Sequence, residues 1–185
     1  MLSFITGNQY KFAEIKQIIP DIVQLKINLT EIQELDPQKI IQHKLQEAFL
    51  HHSGPFMVED TSLYLDCLNG LPGPFGKWFE EKLGNDGMYN LVTKMGNPKA
   101  KCAVIIGFAK DKNQIKYFEG SCEGIIVAPK TKDPFGFNNV FQPNGFYKVF
   151  AEMSIEEKNK ISMRGTAARK LKEFLEIQMR DECES

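Results

Sequence analysis

No run of apolar residues in this chain approaches the roughly 18 needed to cross a bilayer, so no membrane-spanning helix is expected. Cysteine is scarce. Cys67, Cys102, Cys122 and Cys183 lie far apart, with no CxxC pair and no histidine nearby, which argues against a structural zinc site and for free thiols in a reducing compartment. Neither sign of charge dominates: 23 Lys and Arg against 24 Asp and Glu, interspersed, give a net charge of −1. There is thus no basic surplus to drive binding to nucleic acid or to an anionic membrane. The chain also lacks internal repeats, low-complexity segments and a Walker A loop. Its opening, MLSFITGN, has no basic n-region or apolar h-region, so no signal peptide is expected and a cytoplasmic location is read. With 185 residues, 42% hydrophobic and 25% charged, a single globular domain over residues 1–185 with a substantial core is expected.

The elements alternate. A short apolar strand over 2–6 ends at Gly7-Asn8, and Phe12, Ile15, Ile18 and Ile19 then fall on one helical stripe capped by Asn8. A second strand covers 22–27, followed by a helix from Asp36-Pro37 to about 52 with Ile40, Ile41, Leu45, Ala48 and Phe49 inward. The stretch PFMVEDTSLYLD predicts a strand over about 56–59 and a return through 63–65. The turn-rich NGLPGPFG precedes a helix carrying Trp78 and Phe79, with a separate short helix at 87–95. Two long strands joined by the turn DKNQ form a hairpin, and the last helix runs from 162 to about 179 behind a capping box of Ser154 and Glu157. Strands mixed with helices around a long hairpin predict an α/β fold with a mixed sheet.

Five features could carry chemistry. TGNQYK places Thr6, Gly7, Asn8 and Lys11 between a strand and a helix start. There the unpaired N–H groups and positive dipole end suit an anion; a solvated lysine after an ordinary turn is the plain alternative. Lys44 shares an apolar helix face, where a lysine either snorkels at the core edge or points into a cleft. Glu59 and Asp60 end an apolar strand, with Glu31 upstream in LTEIQELD. Hard oxygens of this kind suit Mg2+ and can hold an attacking water, or can simply lie in solvent. Buried there, a carboxylate needs a cation to meet it. The aromatics of PFGFNNVFQP are core plugs or a stacking wall for a base. In EEKNKISMRG, Lys158 and Arg164 bracket a helix start at Ser162, where donors could read a base edge. The three histidines carry no partner pattern and read as surface residues. Together the list describes a site for a nucleoside triphosphate.

The pieces TGNQYKF, VEDTSL, LNGLPGPFGKWF, GIIVAP, FGFNNVFQP, FAEMSIEEKNKIS and MRG run in order over nearly the whole chain, which resembles the inosine triphosphate pyrophosphatase family. The resemblance implies an elongated mixed-sheet fold with two lobes around a central active-site cleft, usually a homodimer. It also implies Mg2+-dependent cleavage of ITP, dITP and XTP between the α- and β-phosphates, giving monophosphate and pyrophosphate. Carried over by motif, Thr6, Asn8, Lys11 and Lys44 would meet the triphosphate, Lys77 would reach phosphate and Thr61 would bind substrate. Glu31 and Asp60 would bind metal, Asp60 also positioning or activating the water, and Lys44 would join Asp60 and Glu59 as a catalytic residue. Glu59 would support Asp60. Phe135 would stack on the base within the loop of Gly136, Phe137 and Asn138, while Lys158, Ser162, Met163 and Arg164 would line its edge.

The chain departs from the family pattern at the base end alone. F-G-(W/Y)-D-P becomes Phe135-Gly136-Phe137-Asn138-Asn139, and S-H-R becomes Ser162-Met163-Arg164. The expectation is intact hydrolytic machinery with loosened or shifted base preference, since apolar pockets discriminate only about 10- to 200-fold. The rival readings are a relaxed or pyrimidine-directed pyrophosphatase of similar fold and a nucleotide-binding protein without turnover.

Overall fold

The computed structural model describes residues 1–132 and 135–183. Its hub is β3 (Phe56–Leu65), which pairs antiparallel with β5 (Lys99–Asp111) in unbroken register from Phe56 opposite Ala109 to Leu65 opposite Ala100. This corrects the expected strand and return over 56–65. The polar triplet Asp60-Thr61-Ser62 reads locally as a break, yet the ladder to β5 satisfies its backbone and alternate residues find partners on either face. Phe56 and Val58 pack on one face of the sheet, and Met57, Leu63 and Leu65 on the other. The strand therefore delivers Glu59 and Asp60 to opposite faces.

β1 (Ser3–Ile5) lies parallel to β3 and to β2 (Val23–Leu25), while β6 (Gln114–Ile126) and β7 (Phe141–Pro143) continue the sheet beyond β5. The order is β2-β1-β3-β5-β6-β7, with the short β4 (Pro72–Gly73), inside the expected loop, paired to β3. The sheet is mixed, as expected.

Among the described residues, five α-helices flank it. On one face α2 (Pro37–His51) sets Ile41, Leu45 and Ala48 against Phe56, Val58 and Ile105. On the other, Ile15 of α1 (Gln9–Ile18), Met88 and Val92 of α3 (Gly76–Met95), and Ala167 and Leu171 of α5 (Met163–Cys183) pack on Met57, Leu63 and Ile106. Fully buried, each large aliphatic side chain contributes roughly 1.5–3 kcal/mol. The two helices expected over 75–95 are present as the two halves of α3, meeting at a kink at Gly84, whose backbone is non-helical. The expected caps form: Asn8 accepts from the N–H groups of Tyr10 and Lys11, and Asp36 from that of Gln38. Ser154 and Glu157 reciprocate at the start of α4 (Ile155–Ile161). His51 is exposed, whereas His43 and His52 are half buried.

Two glycines seat the helices that carry site residues. A Cβ on Gly107 of β5 would collide with Ile41 and Leu45, so its absence lets α2 lie close enough to place Lys44 over the sheet. A Cβ on Gly120 of β6 would overlap the carbonyl oxygen of Met163, so the start of α5, and with it Arg164, rests directly on the strand. No helix among the described residues is long and apolar enough to cross a membrane.

Candidate active site

A cavity of about 970 Å3 opens between these two packed sides, where the end of β1 and the middle of β3 meet the loop before α2 and the starts of α3 and α5. Its volume suits a nucleotide-sized ligand. Thr6, Asn8, Lys11, Glu31, Lys44, Glu59, Asp60, Thr61 and Lys77 all line it, and so do Phe135, Gly136, Phe137, Asn138, Met163 and Arg164. Residues separated by most of the chain are thereby gathered on one wall. Lys158 and Ser162 are not on that wall: both are buried, and the Ser162 hydroxyl accepts from the N–H of Gly165, capping α5.

On the α5 side of β3, Glu59 is fully enclosed. Arg164 Nε reaches its Oε2 at 2.5 Å, Lys11 Nζ its Oε1 at 2.8 Å, and the Thr61 hydroxyl donates to Oε1 at 2.7 Å. The Arg164 guanidinium also donates to Thr61 Oγ1 at 3.0 Å and meets Glu14 Oε2 at 2.6 Å. Glu14 in turn takes Lys158 Nζ at 2.7 Å, and Lys158 donates to Asn138 Oδ1 at 2.9 Å. Burial alone would raise both carboxyls, but the charges of Arg164 and Lys11 hold Glu59 far below the usual range. Arg164 and Lys158 likewise hold Glu14 below it. Burial disfavours the Arg164 cation, and Glu59 and Glu14 more than offset that. Charge-assisted, multiply bonded groups of this kind form a rigid network.

The α2 side is built differently. Lys44 Nζ lies 2.8 Å from Asp60 Oδ1 and 2.9 Å from Glu31 Oε1, and donates to the Glu59 carbonyl at 3.3 Å. Burial works against the Lys44 ammonium, yet Asp60 and Glu31 keep it charged. For Asp60 the balance tips the other way: burial pushes its carboxyl up despite Lys44. Asp60 Oδ2 is buried and has no hydrogen-bond partner. An orphaned carboxylate oxygen on a cavity wall, with a second carboxylate on the same lysine, fits a hard divalent cation bound through one or two carboxylates and completed by water and phosphate. No cluster of three or more His, Cys, Asp or Glu that could hold a metal occurs among the described residues, so the protein supplies no closed cage. The free thiols Cys67, Cys102 and Cys122 play no part in it.

Burial works against the Glu31 carboxylate, but Lys44, then Lys11, and last Lys77, exposed on the first turn of α3, hold it below the ordinary value. Phe135 stands under two cations, with Lys158 Nζ 5.4 Å and Arg164 Cζ 5.8 Å from its ring centroid. Lys158 and Arg164, expected at the base edge, thus act on the aromatic wall and on Glu14 and Glu59. Sequence reasoning passed over two residues here, Glu14 and Tyr10. Glu14 sits on the apolar stripe of α1 beside Ile15, the same signal of a charge on a buried face that singled out Lys44. Tyr10 lines the cavity two residues past the Asn8 cap, where an aromatic at a helix start is the only local cue.

Comparison with known proteins places the chain in a family and matches its fold. The pattern of the Ham1 family matches residues 2–174. The chain is 38% identical over 176 residues to the inosine triphosphate pyrophosphatase of Schizosaccharomyces pombe, covering 94% of each. In fold it is similar to the Ham1 protein of Staphylococcus aureus, with a TM-score of 0.78 at 23% identity over 96% of this chain and 98% of that one. A HAM1 protein from Coxiella burnetii matches with a TM-score of 0.74 at 22% identity, covering 94% and 97%.

Proposed function

The chain belongs to the Ham1 family, and on that premise we propose that it hydrolyses non-standard purine nucleoside triphosphates, ITP, dITP and XTP, between the α- and β-phosphates. The products are the monophosphate and pyrophosphate, and the cofactor is Mg2+. As a member of this family with an inosine triphosphate pyrophosphatase among its relatives, it is a hydrolase of triphosphate anhydrides. The observation that carries the finer reading is Asp60, a carboxylate with one oxygen on Lys44 and the other buried and unsatisfied in a nucleotide-sized cavity.

Asp60 and Glu31 would hold Mg2+, which when bound supplies charge neutralisation to the phosphates. Asp60 holds the attacking water and accepts its proton. Lys44, Lys11 and Lys77 converge on the same end and offset the charge on the leaving pyrophosphate. Thr6 and Asn8 border the phosphate end, and Phe135 offers a face to the base. A pyrophosphate-release assay with Mg2+ on ITP, dITP, XTP, ATP, GTP and UTP tests this. The expected result is turnover of the inosine and xanthine nucleotides above the rest, and no turnover of any would refute it.

One observation favours a broader base range. Met163 lines the cavity with an apolar side chain and Asn138 Oδ1 is already committed to Lys158, so polar rejection of standard bases is weakened. ATP and GTP turned over at rates comparable to ITP would establish that version. We place the enzyme in the cytoplasm as a homodimer, on the family resemblance; light scattering on the purified chain checks the assembly.

A further inference from the structure

Tyr10 lies with its ring parallel to that of Phe135, centroids 4.8 Å apart and planes 10° from coincident, and both rings line the cavity. At that spacing the two faces touch. They are held unequally. Phe135 sits beneath Lys158 and Arg164, which are pinned by Glu14, so it is the fixed wall. Tyr10 is 52% exposed on a first turn whose backbone is anchored by Asn8, so its ring can move by side-chain rotation while the helix stays in place.

A base that stacks on this face of Phe135 must displace Tyr10 or pass between the rings. Displacement exchanges one stack for another and leaves the tyrosine ring in water. Insertion makes two stacks from one, and the parallel planes already have the orientation a flat base requires. We propose that Tyr10 is the second wall of the base site, so that the purine is sandwiched between Tyr10 and Phe135. This rests on the nucleotide-hydrolase reading above. Every base has a π-face, so the clamp contributes affinity and little discrimination. That accords with an apolar Met163 on the same cavity wall.

The test is the Michaelis constant for ITP in wild type, Tyr10→Ala and Tyr10→Phe, with inhibition by tripolyphosphate as a probe that has no base. Tyr10→Ala is expected to raise KM about 5- to 50-fold with kcat unchanged, to raise it equally for ATP, and to leave tripolyphosphate inhibition as in wild type. Tyr10→Phe restores the wild-type KM. A KM that falls or stays put would overturn the proposal, making Tyr10 a plug or a bystander. Equal weakening of tripolyphosphate would also overturn it, because the effect would then run through Lys11 and the turn of α1. If wild type releases no pyrophosphate, calorimetry with inosine monophosphate separates the two ideas. Binding lost in Tyr10→Ala retains the clamp while the hydrolase reading fails, and no binding by wild type removes both.

Discussion

The two faces of β3 hold ionic clusters of opposite kind. On the α5 face, three cations, Arg164, Lys158 and Lys11, meet two carboxylates, Glu59 and Glu14, and the contacts are short and enclosed. On the α2 face, Asp60 and Glu31 both contact one cation, Lys44, with Lys11 and Lys77 standing farther off, and one Asp60 oxygen is left over. The first cluster is closed. Glu59, Glu14, Arg164 and Lys158 have spent their hydrogen-bonding capacity on each other, on Thr61 and on Asn138, which suits a frame, while Lys11 at its edge is partly exposed and lines the cavity. The second is open and short of positive charge, which suits a place where a cation, a water and a phosphate come and go. Adjacent residues of one strand, Glu59 and Asp60, therefore have different tasks, and the alternation of the strand is what separates them.

Breaking the closed face gives the largest effect. Arg164→Met leaves Glu59 and Glu14 buried without their main partner and is expected to cost about 3–5 kcal/mol, a fall in Tm of roughly 6–20 °C. A loss below about 1 kcal/mol in denaturant melts would mean the network is not a frame. Glu14→Gln is next, at about 2–3 kcal/mol near neutral pH. The folded Glu14 carboxyl titrates below its ordinary value, so its contribution is complete above that value and disappears as pH falls through the depressed one. The Tm gap between wild type and Glu14→Gln should therefore shrink as pH falls below the ordinary carboxylate range; a gap that widens on acidification contradicts the assignment.

Met163→His sharpens the comparison at the edge where the closed network meets the cavity. It should raise the ITP-to-ATP ratio of kcat/KM by about 10-fold, read from paired assays. The smallest effect lies away from both faces. Ser154→Ala removes the cap of α4 and should cost about 1 kcal/mol in a thermal melt without changing kcat.

Local chemistry was legible in the chain and distant pairing was not. Asn8, Asp36-Pro37 and the Ser154–Glu157 box announce helix starts because each cap is made within four residues. The motif residues from Thr6 to Arg164, apart from Lys158 and Ser162, line one cavity. The continuity of β3 escaped because its ladder to β5 is formed by residues some 35 to 53 positions away, roughly, and the polar triplet has no local reason to stay extended. Arg164 was expected at the base, yet its partners Glu59 and Glu14 lie 105 and 150 positions upstream, and no local pattern ties them together. A buried acid on an apolar stripe was the available signal for Glu14.

The most direct test exchanges each acid of the pair for its amide and measures both Tm and Mg2+-dependent pyrophosphate release from ITP. Asp60→Asn should melt within a few degrees of wild type and lose about 10²- to 10⁴-fold in kcat. Glu59→Gln should lose several kcal/mol of stability, in line with a broken buried network (about 3–5 kcal/mol). An Asp60→Asn protein that fails to fold, beside a Glu59→Gln protein that is as stable as wild type, would contradict the division of the strand into a structural and a reactive face.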